Sequence, residues 1–414
     1  MNAPIDPIDP PTQVARRGTA LLLTGGGARA AYQVGVLQAL AALRRHNQPG
    51  RQGSPFDIIV GTSAGAINAA ALATGADRFG HAVARLSRIW RAFGAAQVYR
   101  SEARDAARAG ARWLGALALG WAWRRGAARQ PRSLLDNQPL RELLQTELPF
   151  ERLPGLLAAG HLRGLAVTAS SYASGEHLSF YDAVGDMQGW ARTQRRALHT
   201  RIGVEHLMAS SAIPFVFPAT PLTVDGRRGY YGDGAMRQMA PIAPAIHLGA
   251  ERVLVIGAGH GHLRAGQPES VSGDYPSLAQ VAGHALSAIF LDTLAVDIDQ
   301  LERVNHTLSL VAPERRGETG LRQVDLLAIV PSERLDLIAC RHLHTLPQAV
   351  RTLLGMLGVR ADAHDAPSAA LASYLLFEAE YTRDLMRLGR ADALARRVDI
   401  CRFFHWHDTA PDLR

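Results

Sequence analysis

The stretch FDIIVGTSAGAINAAALAT, residues 56–74, places a Gly-x-Ser-x-Gly motif between two different patterns. A run rich in β-branched residues precedes Gly61 and an alanine-rich run follows Gly65, which predicts a strand, a sharp turn and a helix. In that context the motif indicates a nucleophile elbow, because small residues two positions either side of Ser63 let strand and helix approach. The helix start would direct N–H groups towards developing negative charge. Ser63 is therefore a candidate nucleophile.

A second glycine-rich segment, LLLTGGGARAAYQ from Leu21, admits two interpretations. Gly25 and Gly27 followed by Ala30 match the pattern of dinucleotide-binding folds, but a glycine loop that opens a helix can also hold the oxyanion of a reacting ester. A dinucleotide site needs an acidic residue about 20 positions further on to hold the ribose. Residues 44–48 instead read RRHNQ, and an arginine pair could hold a 2′-phosphate. This window weakens the prediction of NADP binding, which stays open as an alternative.

Strand and helix patterns alternate along the first two thirds of the chain. Four more short apolar runs have strand character: residues 20–23, 165–169, 177–181 and 253–256. A hairpin is predicted across Asp225-Gly226. From about residue 273 the chain is mainly helical, with a strand at 324–330 and a helix-rich end at 368–404. The pattern predicts a three-layer α/β sandwich with a mostly parallel central sheet and a helical C-terminal extension.

Composition is that of a globular protein, with 47% hydrophobic and 20% charged residues among 414. Cys340 and Cys401 lie far apart and match no zinc spacing, so we expect free thiols and no metal. The first 18 residues lack the apolar core of a signal peptide, and no run of 18 apolar residues occurs. These observations predict a cytoplasmic protein with a disordered N-terminal arm.

Residues 81–132 carry much of the positive charge, with 11 arginines against Glu102 and Asp105 in a chain of formal net charge +8. On a helix, Trp113 and Trp121 share one face, and three arginines lie on the other: Arg104, Arg108 and Arg112. This arrangement is typical of an interfacial helix on an anionic membrane surface. The alternative is a helix docked on the protein with a solvated arginine face. Nucleic acid is not expected as a partner, because no recognised binding module accompanies the charge.

A candidate base follows the predicted hairpin. Asp233 lies in YYGDGA, residues 230–235, where flanking glycines would let a carboxylate approach another loop. Taken alone, an Asp-Gly pair is more often a turn. Three histidines are alternative bases: His247, His260 and His262.

Three motifs occur in one order along the chain: Gly25-Gly26-Gly27-x-Arg29, Gly61-x-Ser63-x-Gly65 and Asp233-Gly234-Ala235. Together they resemble the patatin-like phospholipase family, bacterial branch, over about residues 19–260. The segment ASSAIPFVFP, residues 209–218, is also similar to the loop that precedes the family's aspartate. The sequence departs from the family at Ala30 and Ala235, where glycine is usual.

The resemblance implies that Ser63 and Asp233 form a dyad without histidine. It implies an oxyanion hole made by the loop Gly25, Gly26 and Gly27 together with Arg29. The implied substrate is a phospholipid or lysophospholipid, with no cofactor.

Three parts are expected in the chain: a disordered arm at 1–18, a catalytic domain at 19–260 with a basic helical insert at 81–132, and a mainly helical extension at 261–414. The expected function is a serine acyl hydrolase. The alternatives are a catalytically silent lipid-binding or scaffold protein of the same fold, and an NADP-binding oxidoreductase.

Overall fold

The predicted strands around both glycine motifs lie side by side in one sheet. We describe a computed structural model over residues 18–100, 133–185, 189–259, 275–289, 293–359 and 366–407. Within these ranges ten strands form the sheet. They are β1 Gly18–Leu23, β2 Ile58–Thr62, β3 Gly164–Ser171, β4 His177–Ala183, β5 Ala191–Arg192, β6 Arg195–His199, β7 Thr220–Val224, β8 Arg227–Asp233, β9 Ala250–Ile256 and β10 Asp325–Ile329.

The helices of the described ranges flank this sheet. They are α1 Ala31–Asn47, α2 Ala64–Ala73, α3 Phe79–Arg91, α4 Gln138–Glu147, α5 Leu153–Ala158, α6 Val204–Ser210, α7 Ala243–His247, α8 Leu278–Ser287, α9 Thr293–Leu310, α10 Leu335–His342, α11 Gln348–Met356, α12 Ala366–Leu375, α13 Ala379–Ala395 and α14 Arg397–Phe404. Among them, none combines the length and the apolar character that crossing a bilayer requires.

The spatial order of the strands is β10-β9-β1-β2-β3-β4-β6-β5, and the first five are mutually parallel. Alternation along β1 sends Leu21 and Leu23 into the core that α1, α2, α3 and α13 cover. Ala20 and Leu22 enter the core on the other face, which α7 and α9 cover. All of β1 is buried, as expected for a parallel strand with both faces covered. The predicted three-layer sandwich is confirmed.

The β3 side of the sheet departs from parallel order. β4 runs antiparallel to β3, and β8 pairs with the end of β3 beyond the point where β2 stops. Thr62, the last residue of β2, lies opposite Thr168, and Asp233 lies opposite Ala169. The ends of β2 and β8 therefore meet beside β3. The hairpin of β7 and β8 was predicted from the sequence, whereas β5 and β6 were not.

The C-terminal region is mainly helical, as predicted, and it is built into the same sheet and core. β10 extends the sheet by pairing in parallel with β9. Helix α13 lies directly on α1, since a Cβ on Gly35 would lie 2.0 Å from the carbonyl oxygen of Met386, and one on Gly389 would lie 2.1 Å from that of Tyr32. The two helices thus pack backbone to backbone.

The predicted basic insert begins with core structure. Its first residues belong to α3, where Val83, Leu86 and Trp90 are buried. Its central part, residues 101–132, lies outside the described residues, together with Trp113, Trp121 and the three arginines assigned to a membrane face: Arg104, Arg108 and Arg112. The expected N-terminal arm up to residue 17 lies outside them as well.

Candidate active site

Ser63 lies at the sharp turn between β2 and α2. Its backbone has φ of 56° and ψ of −131°, a region that non-glycine residues occupy only where the surrounding structure enforces it. Its N–H donates to Ser210 Oγ at 2.9 Å, and its own Oγ donates to Asp233 Oδ2 at 2.6 Å. The side chain is buried. The strand, turn and helix of the predicted elbow are therefore present, with the hydroxyl directed at a carboxylate.

Gly61 and Gly65 lie where backbones touch. A Cβ on Gly61 would lie 2.5 Å from Ala66 Cα, and one on Gly65 would lie 2.4 Å from the carbonyl oxygens of Leu23 and Thr24. These contacts involve main chain, so a side-chain rotation does not relieve them.

Replacing Gly65 with alanine is expected to push the start of α2 away from β1 and to destabilise the fold by about 1–3 kcal/mol, as overpacking does. Urea unfolding measures this change. The matched control is Gly80→Ala in α3, where nothing lies within 4 Å of the added Cβ and alanine is the better helix former. Equal stability of the two variants would contradict the close contact at Gly65.

Asp233 ends β8 and is fully buried. Oδ2 accepts the Ser63 hydroxyl, and Oδ1 accepts the N–H of Ala235 at 2.9 Å. The next residue, Gly234, lies so close to β3 that a Cβ would meet Thr168 Oγ1 at 2.3 Å. The lack of a side chain at Gly234 therefore lets the carboxylate reach the end of β2.

Burial decides the acidity of this carboxyl group. Removal from water raises the pKa of Asp233 from 3.8 to about 7, while the hydrogen bonds from Ser63 and Ala235 restrain the rise. A base with a pKa near neutrality is half ionised at neutral pH and is matched to accepting a proton there. The geometry and the acidity together fit proton transfer from Ser63 Oγ to Asp233.

The glycine loop joins β1 to α1 and runs beside the start of α2. Gly27 has φ of 55°, and a Cβ there would lie 2.3 Å from the carbonyl oxygen of Tyr374 in α12. Gly27 also lines the cavity that Ser63 lines. The loop is thus close enough for its N–H groups to serve as oxyanion donors, a role that remains a prediction for Gly25, Gly26 and Gly27.

A buried polar network supports this loop. Gln33 donates from its amide nitrogen to the Thr24 carbonyl oxygen at 2.8 Å, and its amide oxygen accepts from Asn68 at 2.9 Å. Asn68 in turn accepts from Trp90 Nε1 at 2.9 Å. The network ties α1, α2 and α3 to the loop, and sequence reasoning missed it because polar residues inside helical patterns give no signal of their partners.

Arg29 is not among the described residues that line the cavity, and its assignment to the oxyanion hole stays a prediction. Its Nε donates to Ser373 Oγ at 2.7 Å, and its guanidinium lies 4.1 Å from the ring centre of Tyr374. Its N–H donates to the Gly26 carbonyl oxygen. Arg29 therefore joins the glycine loop to α12. Nothing in the sequence indicates the contact between Arg29 and Ser373, which lie 344 positions apart.

Ala30, where the family usually has glycine, is tolerated in this position. It has φ of −64° and ψ of −10°, ordinary right-handed geometry at the start of α1. Its carbonyl oxygen accepts from Asn68.

Of the histidines considered as alternative bases, only His247 lies within the described residues, and it does not reach Ser63. His247 stacks on Trp190 beside the opposite core, where burial lowers its pKa to about 4. His260 and His262 lie outside the described residues.

His177, which sequence reasoning did not single out, is buried and hydrogen-bonds the backbone of Gly234, with a pKa lowered to about 4 mainly by burial. Its neutral ring supports the loop that carries Asp233.

An apolar cavity, referred to below as the channel, lies beside Ser63. Helices α2, α3 and α4 form most of its walls, and the aromatic rings of Trp90, Phe217 and Phe377 close its sides. Phe377 follows α12, so the C-terminal region forms part of the channel as well as supporting the glycine loop. A candidate nucleophile beside an apolar channel suits a substrate with a hydrocarbon chain.

The solved structures that match this chain include the following three. Human GIVD cytosolic phospholipase A2 has a TM-score of 0.40 at 13% identity, covering 94% of this chain and 60% of that one. VipD from Legionella pneumophila has a TM-score of 0.31 at 13% identity, covering 90% and 67%. ExoU from the type III secretion system of Pseudomonas aeruginosa, solved with SpcU, has a TM-score of 0.26 at 15% identity, covering 93% and 79%. The chain thus spans 60% of the length of the human protein.

A search of curated proteins found no match. The family model described as patatin-like phospholipase matches residues 21–246, which include all three motifs. This match covers more than half of the 414 residues. The protein belongs to the patatin-like phospholipase family.

Proposed function

We propose that this protein is a serine acyl hydrolase of the bacterial branch of the family, cleaving fatty acyl esters of phospholipids or lysophospholipids. The observation that carries the proposal is the 2.6 Å hydrogen bond from Ser63 Oγ to the buried carboxylate of Asp233, at the side of an apolar channel. The elbow geometry at Ser63 and the raised pKa of Asp233 support the same assignment.

The proposed reaction has two steps. Ser63 Oγ attacks the ester carbonyl carbon while Asp233 takes the hydroxyl proton, and the glycine loop donates N–H groups to the oxyanion. The C–O bond to the leaving alcohol then breaks, and the proton passes from Asp233 to that alcohol. Water, deprotonated by the same carboxylate, attacks the acyl-enzyme and releases the fatty acid with Ser63 restored. An alkoxide leaving group needs less protonation than an amine, so a carboxylate base is sufficient.

Activity is expected to depend on the ionisation of Asp233. Because its pKa is raised to about 7, kcat/KM for a soluble ester should increase about tenfold per pH unit below about pH 7 and level off above it. A stopped or continuous assay from about pH 5 to about pH 9 measures the profile. A midpoint near the ordinary value for aspartate would contradict either the burial effect or the role of Asp233.

The proposed location is cytoplasmic, with peripheral association to anionic membranes through the arginine-rich segment 81–132. The support is the charge of that segment and its tryptophans, since a phospholipid substrate has to be reached in a bilayer. Deletion of residues 110–125 tests this contribution. The deletion should lower activity on vesicle substrates more than activity on soluble esters.

The experiment that tests the function is fatty acid release from vesicles of phosphatidylcholine mixed with phosphatidylglycerol, followed by mass spectrometry of the released acids. Release supports the hydrolase. Vesicle binding without release by the folded protein would favour the scaffold alternative. NADPH binding without release, measured by calorimetry, would favour the oxidoreductase.

A further inference from the structure

The channel beside Ser63 has a direction that its helices define. On α2, the residues that line it are Ala64, Ile67 and Ala71, which recur at helical spacing on one face. Ser63 and Ala71 are eight residues apart, so this face extends about 12 Å from the nucleophile at 1.5 Å per residue.

Helix α3 returns along α2 in the opposite direction. Trp90 Nε1 bonds to Asn68 in the first half of α2, whereas Ala82 lies against Gly75, just past the end of α2, where a Cβ would approach to 2.8 Å. Leu86, between these two points, therefore lines the channel near Ala71.

Helix α4 forms the facing wall in the same direction as α2. Its start lies near the nucleophile end, because Leu135 N donates to the Val216 carbonyl oxygen and the adjacent Phe217 packs against Tyr99, whose hydroxyl donates to the Leu375 carbonyl oxygen in α12. Leu140 and Leu144 line the middle. The last residue of α4, Glu147, lies at the far end, opposite α3.

An ion pair joins the two walls at this far end. Arg85 Nε lies 3.1 Å from Glu147 Oε2, and the same guanidinium donates to the main-chain carbonyl oxygen of Glu147. The two side chains are 40% and 33% exposed, so water lies beyond them. Among the described residues that line the channel, Glu147 alone carries a charge.

We infer that the Arg85–Glu147 ion pair closes the distal end of the channel and sets the longest acyl chain that the enzyme accepts. This inference rests on the proposed function. Up to Ala71 each buried methylene strengthens binding by roughly fourfold, because the walls are apolar. Beyond it, methylenes would have to displace the ion pair or remove water from its charges, which opposes binding. Medium-length acyl groups are therefore preferred to long ones.

The test compares kcat/KM for p-nitrophenyl esters from butyryl to palmitoyl. Wild type should favour medium chains, and Glu147→Ala should raise the palmitoyl-to-octanoyl ratio at least about tenfold. Arg85→Met removes the charge and keeps most of the volume. It should change the ratio in the same direction, and it replaces Glu147→Ala in the test if that variant does not fold.

The matched control is Glu205→Ala, which breaks the ion pair between Arg141 of α4 and Glu205 outside the channel and should leave the ratio unchanged. A wild type that accepts palmitoyl as well as octanoyl, or an unchanged ratio in both variants, overturns the inference.

A binding measurement separates this inference from the proposed function. Calorimetry with free octanoate and dodecanoate on the Ser63→Ala protein should show a length limit that the added Glu147→Ala change relieves. A length limit in binding without any hydrolysis by wild type would overturn the function and keep the channel assignment. Hydrolysis that depends on Ser63 but shows no length limit would support the proposed function and overturn the channel assignment.

Discussion

Replacing Ser63 with alanine is expected to lower fatty acid release from phospholipid vesicles by at least about 1000-fold, since it removes the oxygen that the proposed mechanism acylates. The substitution removes only Oγ and its hydrogen bond to Asp233. The backbone of residue 63 keeps its bond to Ser210, so the fold should be retained. The readout is the initial rate of release at saturating lipid, with circular dichroism to confirm folding.

Ser211→Ala is the matched control for this variant. Ser211 also lines the channel, but its Oγ donates to the Leu207 carbonyl oxygen at 2.7 Å and does not contact Asp233. Its replacement should change the rate by no more than a few-fold. Release that survives Ser63→Ala would mean that another residue is the nucleophile.

Asp233→Asn is expected to lower kcat by about 100- to 10,000-fold, the contribution typical of a positioned general base. The amide keeps the shape of the carboxyl group, with its oxygen accepting from Ala235 and its nitrogen facing Ser63. It takes no proton from Ser63 Oγ. Because asparagine before glycine deamidates to aspartate, mass spectrometry of the purified variant has to accompany the rate. Full activity of the Asp233→Asn variant, with its amide shown to be intact, would contradict the proposed role of Asp233 as the general base.

The same variant should be more stable than wild type at alkaline pH. The folded-state pKa of Asp233 is raised to about 7, so its favourable contribution to folding is complete below about pH 4 and is lost as the pH rises through about 7. At about pH 8 the ionised carboxylate therefore destabilises the fold by a few kcal/mol, at about 1.4 kcal/mol per unit of pKa. Asparagine removes that penalty. Melting curves of both proteins should separate at about pH 8 and converge at about pH 4; separation independent of pH would contradict the burial effect.

The sequence predicted most of the local structure around the site. The apolar runs before Gly25 and before Gly61 are strands, and the alanine-rich run after Gly65 is a helix. These elements follow from periodicity and from glycines at contacts where no Cβ fits, which are properties of neighbouring residues. Motif order then pointed to Ser63 and Asp233, which lie 170 positions apart and are in contact.

Other features of the site had no local signal. Arg29 was placed in the oxyanion hole from the motif alone, whereas its partners Ser373 and Tyr374 come from the C-terminal region. The strands β5 and β6 were missed because they are short and partly exposed, so they carry no clear apolar pattern. The contact between Arg85 and Glu147 joins two helices whose sequences read as ordinary amphipathic surfaces.

Local residues thus determined the elbow, the glycine loop and the layered α/β class, because strand, turn and helix preferences act over a few positions. Tertiary contacts determined the chemistry at Asp233. Pairing of β8 beyond the end of β2 brings the carboxylate to Ser63, and burial there raises its pKa to about 7. Desolvation depends on everything packed around a group, so an aspartate in a Gly-Asp-Gly sequence acquires a pKa near neutrality only in the folded chain.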